Sequence, residues 1–323
     1  MKKLILAALA LVCLNVSADT YPSKQITIVV PFAAGGPTDR VARDLAEAMR
    51  KPLGDATIVI DNILGAGSSV GAGKVARSSP DGYTLLLNHI AMASMPNLLR
   101  NMPFKVETDF EYLGMINEVP MTVVSRPSLP AKNFKELRDW FTANKNKINL
   151  GNAGVGSASH LCGLMFQNAL QIDMMSIPYK GTAPAMSDLM GGQIDVMCDQ
   201  TTNTTPMIEA KKINVYGVTT SKRLTTPGLR DIPTLQEDGL KGFEVTIWHG
   251  LYAPKGTPAD VVSKINAALK AALKDPEFVK KQEALGAVII NDKRNEPGEH
   301  KKFVIAEIAK WGPVIAAAKE YID

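Results

Sequence analysis

Little in this chain invites metal, redox or nucleic-acid chemistry. Three cysteines and four histidines are spread over 323 residues. Cys162 and Cys198 lie far apart, and His89, His160, His249 and His300 share no ligand spacing, so no metal site is expected. No G-x-S-x-G elbow exposes a serine. Ser157, Ser159 and His160 stand close together, but neighbours on a helix point apart, and no nucleophile–base–orienter set can be named. The run GAGSSVGAGKVA (residues 65–76) fails as a phosphate loop, because Ser68 replaces the first required glycine and Val75 follows Lys74 where Ser or Thr is needed. Gly71-x-Gly73-x-x-Ala76 falls inside an expected helix, so a dinucleotide site fails as well. The expectation is no enzyme, no catalytic residue and no cofactor.

Long apolar runs are scarce too. One lies at the start: Lys2 and Lys3, an apolar stretch over residues 4–14, then Val16-Ser17-Ala18 at signal-peptidase spacing. This predicts a cleavable secretory signal over residues 1–18. The stretch is shorter than the ~20 residues needed to cross a bilayer. Val12 before Cys13 is a poor lipoprotein site. Loss of Lys2 and Lys3 takes the net charge from +4 to +2, too little for a nucleic-acid footprint. In an oxidising compartment Cys162 and Cys198 could pair, but a mature chain of this length buries a sufficient core without a staple, and free buried thiols are the leading reading. A soluble monomer of about two domains is expected.

What is present alternates. Residues 25–31 (QITIVVP) form an apolar, β-branched run, the mark of a strand covered on both faces. Pro37 opens a helix to about residue 50, with Val41, Leu45 and Ala48 as its buried stripe. Strands are predicted at 57–61 and 83–88, with a helix over 68–77 between them. This is the signature of a doubly wound parallel α/β sheet. Two strands, 112–116 and 121–124, are expected on either side of Pro120. A second alternating set follows: a helix capped by Asn133 with Glu136 three residues on, strand 148–151, a helix from 159, strand 174–178, a helix from 182 and strand 194–198. Residues 245–253 return to the first unit, Thr257 and Asp260 have capping-box spacing before a helix, and Pro313 should kink the last helix. The organisation is lobe 1 at 19–120 and 248–323, with lobe 2 at 121–247 inserted. Segments 118–126 and 244–250 cross between them.

In an open α/β sheet, ligands sit outside the carboxyl ends of the strands. Two loops there run straight into helix starts: Ala34-Gly35-Gly36-Pro37-Thr38 and Gly154-Val155-Gly156-Ser157-Ala158-Ser159. Unpaired amides and the helix dipole at such a start suit a carboxylate or phosphate, and glycine admits the anion to the backbone. Either loop alone could be a simple turn; the pair, on opposite lobes, points to anion capture.

At these residues the chain resembles a family, the periplasmic solute receptors of tripartite tricarboxylate transporters, called Bug or TctC proteins. The resemblance covers the mature chain and rests on YPSKQITIVVPFAAGGPTDRVAR (21–43), SSPDGYTLLL (78–87), GSASHL (156–161), PYKGTAPAMSDLMGGQIDVMCD (178–199) and WHGLYAPKGTPADVVSKIN (248–266). It implies a type II periplasmic-binding-protein fold, two doubly wound α/β lobes with a ligand cleft between them. It also implies a periplasmic location, hinge closure on a small organic carboxylate, and membrane transporter subunits as partners. Motif-matched positions give Phe32, Ala34, Gly35, Thr38 and Asp39 on one side, and Gly156, Ser157, Ser159, His160, Lys180, Gly181, Thr182 and Asp199 on the other. Asn88 and His89 join them at the end of the third strand. His89 could equally hold a backbone partner, and Lys180 could be a solvated charge. Asp39 should serve its own helix start, Asp199 should meet a donor or a water, and Trp248 should pack. The family often carries a Gly/Ser-rich segment where this chain has Asn88-His89-Ile90-Ala91-Met92-Ala93. Ile90, Met92 and Phe32 suggest a flat aromatic acid such as terephthalate, with aliphatic dicarboxylates or citrate-like acids as alternatives. An extracytoplasmic sensor for a membrane regulator is the alternative function.

Overall fold

The computed structural model describes residues 21–318, so the expected signal segment lies outside the described residues. The chain begins with β1 (Ile26–Val30), α1 (Pro37–Arg50), β2 (Ile58–Asn62), α2 (Ser69–Ala76), β3 (Thr84–His89) and α3 (Ala91–Leu98). The long β4 (Phe110–Ser125) leads to α4 (Phe134–Ala143), β5 (Asn149–Asn152), α5 (Ala158–Leu170), β6 (Met175–Pro178), α6 (Thr182–Met190), β7 (Val196–Gln200), α7 (Thr201–Glu209) and β8 (Asn214–Val218). β9 (Thr246–Pro254), α8 (Ala259–Ala272), α9 (Pro276–Ala284), β10 (Val288–Ile289) and α10 (Pro297–Ala318) complete it.

The strands lie in the order β2-β1-β3-β9-β4-β7-β5-β6, with β8 and β10 also on β4. β1 pairs parallel to β2 and β3, and β5 pairs parallel to β6 and β7, the βαβ signature on both sides. β4 joins the two. Residues up to Pro120 pair antiparallel with β9, and from Met121 onward the partners are β7 and β8.

That continuity corrects the expectation of two strands broken at Pro120. Proline lacks a ladder donor, but here it stands where the strand changes partners, opposite Thr246. The next amide, Met121 N–H, is taken by the Thr219 hydroxyl at 3.0 Å. The backbone therefore loses nothing it needed.

The β1 run is buried at all but one position, as a strand covered on both faces must be. α1 turns Val41, Leu45 and Met49 inward, with Met49 in the place expected for the half-buried Ala48. Asn133 caps α4 as expected: its Oδ1 accepts from Glu136 N–H at 2.9 Å, and Glu136 reaches back to Lys132 N–H. Thr257 does not cap α8. Its hydroxyl donates to Pro254 O at 2.8 Å, and Pro258 holds the cap position. Trp248 packs against Phe303 and donates its indole N–H to Glu307. The residues after β3 form α3 and not a loop, which puts Ile90 and Met92 in the core.

Cys162 and Cys198 are joined in a disulfide, which corrects the free-thiol reading. α5 packs on β7 and brings the two Cα atoms to 5.9 Å, inside the range a disulfide spans. A sequence separation of 36 hides this in the sequence.

Candidate functional site

The carboxyl ends of β1 and β3 face those of β5 and β7, and the loops that leave them meet across a seam. On the β1 side, Gly35 adopts a φ of +79°, and its N–H donates to Asp39 Oδ2 at 2.9 Å. Arg43 adds bonds of 2.9 and 3.0 Å, and Asn62 Nδ2 donates at 2.9 Å. Burial alone raises the Asp39 carboxyl, but Arg43, Gly35 and Asn62 outweigh it and hold the group below its ordinary range. Asp39 thus serves its own helix start. Asn62 also donates to Phe32 O at 3.0 Å, which fixes the loop's entry.

The β5 side is organised by hydroxyls and an imidazole. Ser157 caps α5, its Oγ accepting from His160 N–H at 3.3 Å. Ala153 N–H donates to Ser159 Oγ at 2.7 Å, Gly156 N–H to His160 Nδ1 at 3.2 Å, and Gly154 N–H to Asn152 Oδ1 at 2.9 Å. These side chains shape the loop, and Ser157 satisfies one of the first-turn amides of α5, which have no intrahelical acceptor.

The two sides touch. Ser94 Oγ donates to Gly156 O at 2.8 Å. Gly67 has a φ of +59°, and a β-carbon there would lie 1.8 Å from Val155 O. At Gly181 one would lie 2.7 Å from Ala33 N. Glycine is required at both, because backbone meets backbone across the seam. Between these contacts lies a cavity of about 300 Å³, walled by Phe32, Gly67, Ser68, Ala153, Val155 and Lys180 among others. Glycine, alanine and proline make up much of that wall. A larger groove of about 690 Å³ runs between residues 224–227 and α9, away from the strand ends that converge here.

Of the expected residues, Phe32 and the exposed Lys180 line this cavity. His89 lies beneath Phe32, ring centroids 4.4 Å apart, and its Nδ1 accepts from Ala91 N–H. Burial and the neighbouring His249 keep the His89 imidazole neutral. Asn88 donates to Ser68 Oγ at 3.3 Å and so supports the cavity wall from behind. Ala34 and Gly35 are exposed on the outer turn, and Thr38 is buried against His249. Gly156, Ser157, Ser159 and His160 form the α5 start, and Gly181 and Thr182 open α6 against Ala33.

Asp199 is buried at the end of β7 and accepts from Asn203 Nδ2 at 2.7 Å. Burial pushes its carboxyl up to about 7, against the pull of Asn203, Gln200 N–H and the Thr182 hydroxyl. Sequence reasoning placed its neighbours in a cleft loop but assigned them no role. Gln200 Oε1 and Thr202 Oγ1 are buried polar atoms without a hydrogen-bond partner. Their position straight after a strand was the available signal. Gly67, Val155 and Tyr179 lie in expected cleft loops too but were assigned no role, because nothing in a sequence says which main-chain atoms will meet.

Among the described residues no group of three or more His, Cys, Asp or Glu side chains is placed to hold a metal, and no helix is long and apolar enough to cross a membrane.

Known proteins share this architecture over nearly all of the chain. The periplasmic binding protein BugD superposes with a TM-score of 0.90 at 47% identity, over 93% of this chain and 99% of that one. MatC from Rhodopseudomonas palustris, solved with bound malate, gives 0.86 at 35% identity over 91% and 100%. An R. palustris protein solved with adipate gives 0.87 at 32% identity over 93% and 98%. The model of the tripartite tricarboxylate transporter family receptor, TctC, matches residues 41–319. With that match covering most of its length, the chain belongs to the TctC receptor family of periplasmic solute-binding proteins.

Proposed function

We propose that this receptor closes on a small dicarboxylate in the cavity between its halves and delivers it to the membrane subunits of a tripartite tricarboxylate transporter. The observation that carries the proposal is the cavity where the loops after β1, β2, β5 and β6 face one another at the carboxyl ends of the strands. At about 300 Å³ it sits at the small end of ligand sites. The moving bodies are residues 19–120 with 248–323, and residues 121–247, after removal of the signal over 1–18. Segments 118–126 and 244–250, where β4 and β9 cross, act as the hinge. Ligand held by one half supplies contacts to the other, so the closed population rises by the ligand's differential affinity for that state.

The malate and adipate in the similar structures favour an aliphatic chain. Ile90 and Met92, which suggested terephthalate, lie in the core, and Phe32 alone of that set lines the cavity. A thermal-shift panel of malate, succinate, adipate, citrate and terephthalate tests this. An acid at a hundredfold over its dissociation constant should add ~2.7 kcal/mol, a shift of several degrees. Aliphatic dicarboxylates are expected to shift the melt more than terephthalate. A flat panel after denaturant stripping and refolding would overturn the receptor reading.

A further inference from the structure

Among the described residues that line the cavity, polar side chains are few, and those with hydroxyls are already occupied. Ser68 Oγ accepts from Asn88 Nδ2 at 3.3 Å and donates to Met95 Sδ at 3.4 Å. Tyr179 donates its phenol to Asp188 Oδ2 at 2.6 Å. Lys180 is the one charged residue in the wall, and the remainder is Phe32, Val155 and their alanine, glycine and proline neighbours.

Phe32 brings the largest hydrocarbon surface to that wall, and its ring is fixed. It stacks on His89 with centroids 4.4 Å apart and planes 27° from parallel. His89 is itself held, its Nδ1 accepting from Ala91 N–H at 3.0 Å and its ring meeting His249 edge-on at 5.9 Å. The Phe32 carbonyl is tied to Asn62 Nδ2, so neither main chain nor ring can swing aside without breaking these contacts. A ligand hydroxyl brought against this surface gives up water and finds no partner, whereas a methylene loses nothing there. We infer that Phe32 is a specificity-determining residue: the surface it presents takes an unsubstituted methylene chain, so the site selects plain aliphatic dicarboxylates over their hydroxylated counterparts. His89 is the positioning residue that keeps the ring in place. The inference rests on the receptor reading above.

Titration calorimetry with succinate and malate tests it, because the two acids differ by one hydroxyl. The parent should prefer succinate by about tenfold, a ratio that needs no variant to measure. Phe32→Leu keeps a hydrocarbon wall and should keep the preference. Phe32→Asn offers an amide to the hydroxyl and should bring the ratio to within about threefold. His89→Ala leaves the wall's composition unchanged but frees the ring, so it should narrow the ratio, and His89→Phe, which restores a ring beneath Phe32, should recover it. A merely destabilised fold would weaken both acids alike and leave the ratio where it was. A parent that binds malate as tightly as succinate, or a preference unchanged in a folded Phe32→Asn, would overturn the inference and leave the receptor reading standing. Failure of both acids to bind the parent would overturn the receptor reading and the specificity role with it.

Discussion

Asp39 and Asp199 stand on opposite sides of one cleft, and their surroundings drive them in opposite directions. Asp39 is locked by Arg43, Asn62 and Gly35 N–H and held below the ordinary carboxylate range. Asp199 has hydrogen-bond donors but no cation in its shell, and burial pushes it up to about 7. In the proposed carboxylate site a bare negative charge would repel the ligand. The first half neutralises its carboxylate with an ion pair; the second buries its own until it takes up a proton near neutrality. The loops differ in the same way. The β1 loop is tied by charge, and the β5 loop by hydroxyl caps backed by the Cys162–Cys198 disulfide.

Removing that disulfide breaks the comparison with the largest effect. Cys162→Ala with Cys198→Ala should cost about 3–4 kcal/mol by the loop-closure relation for a 36-residue separation, read from denaturant midpoints. Reductant should move the parent toward the variant and leave the variant unmoved. Asp39→Asn comes next. Loss of the charged bonds from Arg43 should cost about 1–3 kcal/mol, and the β1 loop should lose its order while the β5 loop keeps its own.

The smallest effects lie in pH, and their signs differ. Asp39 is depressed in the fold, so its contribution is present above the ordinary carboxylate value and is lost as pH falls through the lower folded value. Asp199 is raised, so its contribution is present below the ordinary value and is lost as pH rises through about 7. Melting curves of the ligand-free protein should carry both signatures. Asp199→Asn should flatten the decline toward neutral pH and leave the acid limb, while Asp39→Asn should do the reverse.

Periodicity made most of the fold legible. The β-branched run at β1, the apolar stripe of α1 and the Asn133–Glu136 box each encode a local structure that tertiary packing did not override. Pro120 misled because a proline is harmless where a strand changes partners, and only the assembled sheet shows that exchange. α3 was hidden by Ile90 and Met92, read as a cleft wall when they are core. The disulfide depends on the facing of α5 and β7, which no local signal carries. In the site, the glycine loops and Asp199 could be found because they follow strands. The stacking of His89 beneath Phe32 could not, since Phe32 follows β1 and His89 ends β3, and no local signal brings the two rings together.

Gly67 tests the central claim, closure of two halves on a carboxylate, most directly. A β-carbon at Gly67 would lie 1.8 Å from Val155 O, and under the proposed closure a side chain there would be free once the halves part. Titration of malate into the parent and into Gly67→Leu, with melting curves to confirm that both fold, decides the matter. The account predicts that Gly67→Leu loses about a hundredfold or more in affinity, ~2.7 kcal/mol, because it cannot close. A folded Gly67→Leu that binds malate as tightly as the parent would contradict closure at this seam.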